Sequence, residues 1–316
     1  MIKLGVVMDS IATINTKKDS TFAMLLAAQA RGWPISYMEI NDLSVTDGIA
    51  YGNTCLLTVN DDPGNWFTFG ESLTQPLHEL DVILMRKDPP FNMEYIYATY
   101  ILELAERQGT LVVNKPQTLR DANEKLSTSW FPQCTTPTLV SRSRKQFIEF
   151  LKIHKDLIFK PLHGMGGVSI FRVREGDGNT NVIIETLTEQ ETRFAMAQRF
   201  IPEIVQGDKR ILLVNGEAVP YALARIPAEG ESRGNLAAGG TGVGVPLSER
   251  DLWICEQVSR TLVEKGLLFV GLDVIGDYLT EINITSPTCI RELDKLYGLD
   301  IAGQLMDAIE QKLQTR

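Results

Sequence analysis

The chain has 316 residues, enough for about two domains. Its 40 acidic and 31 basic residues leave a net charge of −9, and its 44% hydrophobic content is that of a globular protein, which excludes a disordered or fibrous chain. The acidic balance argues against broad binding to nucleic acid or an anionic membrane, because both need clustered Lys and Arg.

Residues 2–8 form a short apolar run that predicts a buried parallel strand. Asp19-Ser20 caps a helix that runs through Ala30 and ends at Gly32. Further strands are expected over 35–40, 82–85 and 111–113, with a helix over 93–107 closed by Gly109. This alternation predicts an open α/β sheet, and no GxGxxG follows the first strand, so a dinucleotide fingerprint is missing. Asn114-Lys115-Pro116 marks a boundary, since proline disfavours helix at and before its position. Beyond it the pattern turns to hairpins, giving α+β character. One hairpin pairs 208–214 with 217–225 around Asn215-Gly216, and another pairs 269–275 with 279–284 around Gly276-Asp277. Between them, 226–244 holds six glycines and reads as a flexible segment, followed by a helix over 248–265 capped by Gly266.

Cys55, Cys134, Cys255 and Cys289 are widely spaced, with neither zinc-site spacing nor the density of a secreted disulfide scaffold. Asp9 interrupts the amino terminus too early for a signal-peptide core, and no apolar run approaches the ~18 residues of a spanning helix. The expected compartment is the cytoplasm.

Three groups of residues carry candidate chemistry. Lys160 and the glycines Gly164, Gly166 and Gly167 lie in a loop between two strands, expected over 157–159 and 168–173. Such a loop turns backbone N–H groups towards an anion, or is an ordinary tight turn. Asp273, Glu281 and Asn283 suit Mg²⁺ if the second hairpin has a three-residue or bulged turn that sets Asp273 opposite Glu281. A strict two-residue turn sets Asp273 opposite Thr280 and favours a solvated strand face. Arg210 and Arg225 flank the Asn215-Gly216 turn. Pairing outwards from it, 210 meets 221 and 206 meets 225, and the parities allow both arginines to share one face. Arg233 in the glycine-rich segment adds a third cation, as in lids that exclude water. Arg86, at the end of an expected strand, stands where open α/β sheets gather ligands, or in a rigid surface turn. Lys125 heads a helical stretch, and His78, His154 and His163 are too dispersed for a histidine metal site or a Ser-His-Asp arrangement.

These stretches together resemble the ATP-grasp ligases, and among them bacterial glutathione synthetases. The resemblance is carried by MRKDPPF (85–91), NKPQTLRDANEK (114–125), KPLHGMGG (160–167), GDKR (207–210), YALARIP (221–227), RGNLAAGG (233–240) and GLDVIGDYLTEINITSPTCIR (271–291), and it spans nearly the whole chain. It implies an α/β N-terminal open parallel-sheet domain over 1–122 and an ATP-grasp domain over 123–316. The latter divides into a central subdomain (about 123–200) and a C-terminal one (about 201–316). The implied reaction joins γ-glutamylcysteine and glycine with ATP, through an acyl phosphate, and the implied assembly is a tetramer.

The resemblance also implies roles. Lys125, Lys160 and the Gly164, Gly166 and Gly167 loop would contact ATP phosphates, Gln198 and Ile201 adenine, and Asp208 the ribose. Asp273, Glu281 and Asn283 would hold Mg²⁺, with Mn²⁺ as a substitute. Arg210, Arg225 and Arg233 would stabilise the phosphorylated intermediate, while Arg86 and Ser286 would bind the peptide. Two departures stand out. His163 replaces the family's usual Asp, and Thr241 to Pro246 replaces further basic residues, which predicts a more flexible and less cationic lid. The alternatives are a D-alanine–D-alanine or glutamate ligase of the same fold, and a non-catalytic nucleotide-binding module. The second is disfavoured because the metal ligands and arginines are all present.

Overall fold

The computed structural model describes residues 1–164, 166–228, 234 and 239–315. The first sheet contains β1 (Leu4–Val7), β2 (Ile35–Met38), β3 (Leu43–Thr46), β4 (Ile49–Val59), β5 (Phe67–Pro76), β6 (Val82–Met85) and β7 (Leu111–Val113). Its order is β3-β4-β2-β1-β6-β7, with β5 also paired to β4. Strands β2, β1, β6 and β7 are parallel, in keeping with the apolar runs of β1, β6 and β7. They carry α1 (Ser20–Ala30), whose Asp19 cap accepts from Phe22 N, and α2 (Met93–Arg107), whose Asn92 cap accepts from Tyr95 N. A short α3 (Pro116–Asp121) follows β7. The antiparallel ribbon β3-β4-β5 extends this sheet beyond the strands expected from the sequence. Most of β5 is exposed, Phe69 and Leu73 included, so it lacks the alternation that marks a half-buried strand.

A second, antiparallel sheet has the order β10-β9-β11-β8, built from β8 (Thr138–Ser141), β9 (Asp156–Pro161), β10 (Phe171–Arg174) and β11 (Ala195–Arg199). Helices α4 (Arg144–His154) and α5 (Thr180–Thr188) cover it, packing Phe147, Leu151 and Ile184 on Phe159 and Ala197. The strand expected from Val168 begins only at Phe171. Val168 and Ser169 belong to the preceding turn, where Ser169 takes a left-handed φ of 59°.

The third sheet is antiparallel, order β14-β13-β12-β15-β16, from β12 (Asp208–Val214), β13 (Glu217–Ile226), β14 (Thr241–Pro246), β15 (Phe269–Ile275) and β16 (Tyr278–Asn283). Successive β12 residues face opposite layers. Ile211 and Leu213 join Ile254, Val258 and Leu262 of α6 (Glu249–Glu264). Leu212 and Val214 join Leu305, Met306 and Ile309 of α8 (Ile301–Gln314), which follows α7 (Ile290–Tyr297). Helix α6 begins in a capping box, Ser248 with Asp251.

The segment from Thr241 to Pro246 is a strand and not part of a flexible lid. It pairs along β13 from Tyr221↔Pro246 to Ile226↔Thr241. Gly244 is required there, because a Cβ would come within 2.6 Å of the Tyr297 ring, itself stacked on Tyr221 at 3.7 Å. Arg233, with residues 229–232 and 235–238 of the glycine-rich stretch, lies outside the described residues.

A buried amide at the end of β7 ties the first sheet to the third. Asn114 Nδ2 donates to the carbonyls of Phe269 and Ile284, both at 2.7 Å. Its Oδ1 accepts from Leu268 N and Phe269 N at 2.8 and 3.0 Å, so its whole hydrogen-bonding capacity is used. Among the described residues no helix is long and apolar enough to cross a membrane.

Candidate active site

The cleft lies between the second and third sheets, around a cavity of about 310 Å³. One face of the third sheet forms its floor, and two register shifts decide which side chains that face carries.

The first shift is in the β12–β13 hairpin. Near the turn Val214 pairs with Glu217 and Leu213 with Ala218, as a two-residue turn requires, but further out Ile211 pairs with Ala222. Three β13 residues, Val219 to Tyr221, are spanned where β12 has only Leu212. Pro220, which has no N–H to give a ladder, lies at the centre of this bulge. The pairing is therefore Asp208↔Arg225 and Arg210↔Leu223, and the expected 206↔225 and 210↔221 are corrected by two residues. A slip of two preserves the side-chain face, so Arg210 and Arg225 still project together.

The second shift is in the β15–β16 hairpin. The turn is a strict two-residue one, Ile275↔Tyr278, with Val274↔Leu279, yet Asp273 pairs with Glu281. Thr280 is the inserted residue. Its Oγ1 donates to Asp273 O at 3.1 Å, and its carbonyl accepts from Lys160 Nζ at 3.3 Å. Without this bulge Asp273 would oppose Thr280, and Glu281 and Asn283 would turn to the other face.

The face thus gathers an alternating set of charges. Arg210 grips Asp273 with two bonds, Nε to Oδ1 at 2.6 Å and Nη2 to Oδ2 at 3.2 Å. Arg225 Nη2 reaches Asp273 Oδ2 at 2.9 Å and Asp208 Oδ2 at 2.5 Å. Arg210, Arg225 and Asp273 are all buried. Burial acts to raise the Asp273 pKa, but the two guanidiniums outweigh it and hold the carboxyl well below the usual range. Burial raises that of Asp208, with Arg225 only partly offsetting it. Asp208 Oδ1 is buried and has no hydrogen-bond partner among the described residues.

The opposite wall supplies lysines. Lys125 Nζ pairs with Glu281 Oε1 at 2.8 Å and donates to Gly164 O at 3.0 Å, tying the glycine loop to β16. Burial lowers the Lys125 pKa, but Glu281 outweighs it and the ammonium is held above its ordinary value. Gly164, Gly166 and Gly167 take φ values of 101°, 68° and 79°. A Cβ at Gly164 or Gly166 would meet nothing within 4 Å, so the backbone conformation, not space, calls for glycine there. Gln198 and Ile201 line the same cavity, with Gln198 Nε2 donating to Thr138 Oγ1 at 3.0 Å. His163 also lines it, 3.3 Å from Arg193 Nη1.

Asn283 and Ser286 line the cavity at the end of β16. Arg86 does not. Its guanidinium lies behind the wall, donating to Thr21 Oγ1 at 3.0 Å and Pro287 O at 2.9 Å, with Phe269 beneath it. Sequence reasoning assigns no site role to Glu124, Thr280 and Thr285, which also line the cavity. Their only signal is proximity to Lys125, Glu281 and Asn283 in the chain.

The donor set suits a hard divalent cation. Asp273 and Glu281 are cross-strand partners, and Asn283 follows on the same face. No cluster of three His, Cys, Asp or Glu occurs among the described residues. The site is accordingly two carboxylates and an amide oxygen, the kind of sparse set that leaves positions for water and phosphate.

The sequence models of the prokaryotic glutathione synthetase N-terminal and ATP-grasp domains match residues 2–120 and 124–298. The chain belongs to the prokaryotic glutathione synthetase family. It is 62% identical to the glutathione synthetase of Vibrio vulnificus (strain CMCP6) over 316 residues, covering 100% of both chains. It is 63% identical to that of Pseudomonas putida over 315 residues, covering 100% of this chain and 99% of the other. Among solved structures, D-cycloserine synthetase DcsG aligns with a TM-score of 0.68 at 11% identity, over 98% of this chain and 99% of that one. The ATP-grasp ligase PsnB aligns at 0.62 and 14%, over 98% of each chain. These structural likenesses show the ATP-grasp fold. ATP use and dependence on a divalent metal follow from the family.

Lys160 offers a pH test of whether this wall takes up phosphate. Burial pushes its pKa down to about 8, with Glu281 only partly offsetting this. A bound triphosphate favours the charged ammonium, so above pH 8 binding must take up a proton and affinity falls. The ATP dissociation constant of the wild type should rise by about tenfold or more between about pH 7.5 and 9.5, and the slope should vanish in Lys160→Met. A flat wild-type profile would contradict a phosphate contact at Lys160.

Proposed function

We propose that this chain joins γ-glutamylcysteine and glycine into glutathione, using ATP and releasing ADP and phosphate. Glutathione synthesis by an ATP-dependent ligase follows from the family and from full-length identity above 60%. The observation that carries the division of labour is the single sheet face on which Asp273 stands opposite Glu281, beside Arg210 and Arg225.

The cysteinyl carboxylate attacks the γ-phosphorus of ATP, and ADP leaves. Glycine's amine then attacks the acyl carbon, and phosphate departs from the tetrahedral intermediate. In this reading Lys125 and Lys160 hold the phosphate chain by charge, and the N–H groups of the Gly164–Gly167 loop add donors. Gln198 and Ile201 face the adenine, and the unpartnered Oδ1 of Asp208 accepts from the ribose. Arg210 and Arg225 are already fixed by Asp273, so they offset the charge of the acyl phosphate with little reorganisation. Arg233 is assigned the same task by resemblance. Asp273, Glu281 and Asn283 would hold Mg²⁺, or Mn²⁺ in its place, which when bound neutralises charge on the transferring phosphate. Ser286 meets the peptide, and Arg86 serves from behind by holding Pro287. The N-terminal unit is taken as 1–122 and the ATP-grasp unit as 123–316. The proposed compartment is the cytoplasm, in keeping with four free cysteines.

Phosphate release should be rapid with γ-glutamylcysteine plus glycine and absent with paired D-alanines. Glu281→Gln should lower the rate by about 10²-fold or more while the melting temperature is retained. Full turnover in that variant would remove Glu281 from the metal set, and turnover with D-alanine would overturn the substrate assignment.

A homotetramer is also proposed. Phe69 and Leu73 on β5 and Tyr97 and Tyr100 on α2 are exposed, the kind of apolar surface that subunit contacts cover. Light scattering should give four times the chain mass, and a monomer at micromolar concentration would contradict it.

A further inference from the structure

The proposed reaction needs Asn283 and Ser286 at fixed points, yet the β15–β16 ladder ends with the pair Gly271↔Asn283. The residues beyond it are held by a side chain from elsewhere in the chain. Glu124 Oε1 accepts from Ile284 N at 2.8 Å, Thr285 N at 3.1 Å and Thr285 Oγ1 at 3.0 Å. The backbone carbonyl of Glu124 accepts from Ile282 N at 2.9 Å. From the other side, Asn114 Nδ2 takes the carbonyl of Ile284. The next residue, Lys125, pairs with Glu281.

No lysine or arginine pairs with the Glu124 carboxylate among the described residues, so its bonding is spent on backbone and one hydroxyl. Hydrogen bonds from N–H groups to a carboxylate are about twice as strong as neutral ones. Two of them on consecutive amides, with the Thr285 hydroxyl as a third contact, fix the chain direction where no strand neighbour does.

We propose that Glu124 is a positioning residue: by holding Ile284 and Thr285 it sets where Asn283 and Ser286 stand in the cleft. The role rests on the site assignments proposed for those two residues. Substituting alanine removes all three acceptor contacts, whereas glutamine keeps an amide oxygen in the same place. Thr285→Val removes one donor of the three and leaves the backbone pair.

The test combines hydrogen exchange without substrates and steady-state kinetics. In Glu124→Ala, exchange of the Ile284 and Thr285 amides should rise by about tenfold or more. The kcat/KM for γ-glutamylcysteine should fall by about tenfold or more, while metal-free ADP affinity stays within about twofold. Glu124→Gln should restore most of both losses, and Thr285→Val should fall between. If Glu124→Ala does not fold, the Gln and Val variants carry the same comparison. The proposal is overturned if amide exchange is unchanged, if exchange rises with no change in kcat/KM, or if ADP affinity collapses in parallel. Because exchange is read without substrates, a wild type inactive with γ-glutamylcysteine would refute the function and leave the clamp standing.

Discussion

One inserted residue decides what the cleft contains. Thr280 interrupts the β15–β16 ladder, so that Glu281 and Asn283 fall on the same face as Asp273. An unbroken two-residue hairpin would send them to the opposite face, among the apolar side chains of the core. The bulge is held in place by its own chemistry, the Thr280 hydroxyl on Asp273 O and its carbonyl on Lys160. The strand distortion and the lysine opposite it are therefore parts of one arrangement. A second bulge, around Pro220, brings Arg225 opposite Asp208 and leaves it within reach of Asp273.

Burying this much charge is costly unless every group has a partner. The alternation Asp208, Arg225, Asp273, Arg210 meets that condition, and Lys125 with Glu281 repeats it at the edge of the sheet. Such an array is poised for anions. Its cations stay charged and oriented through their carboxylates, as a site that must stabilise developing charge requires. Lys160 is the exception. Among the described residues its one hydrogen-bond partner is a carbonyl, and its lowered pKa makes it the cation most responsive to the phosphate proposed to bind there.

Much of this architecture is legible in the amino-acid sequence. The apolar runs of β12 and β15 and the Asn215-Gly216 and Gly276-Asp277 turns mark the two hairpins that carry the floor, and Asp19 and Ser248 mark helix starts. Register is less legible. Parity places Arg210 and Arg225 on one face, but Pro220 moves their partners by two positions. The choice between Thr280 and Glu281 as the partner of Asp273 depends on a bulge that composition does not announce. Strand β5 escapes a periodicity reading because most of it is exposed, and β4 because buried positions such as Gly52 and Thr54 are not large apolar residues. Thr241 to Pro246 resembles a flexible segment because its glycines serve close packing, Gly244 against Tyr297 and Gly242 against Leu223. The role of Glu124 is not legible in the sequence because its partners, two backbone amides and the Thr285 hydroxyl, lie about 160 residues away.

The bulged face of the third sheet and the lysines opposite it are proposed to form one triphosphate site. A crystal structure with Mg²⁺ and a non-hydrolysable ATP analogue tests it most directly. The β- and γ-phosphates are predicted to lie between Lys125 and Lys160 on one side and the Asp273–Glu281–Asn283 edge on the other. Phosphates bound at any other surface, with that edge facing only solvent, would contradict it.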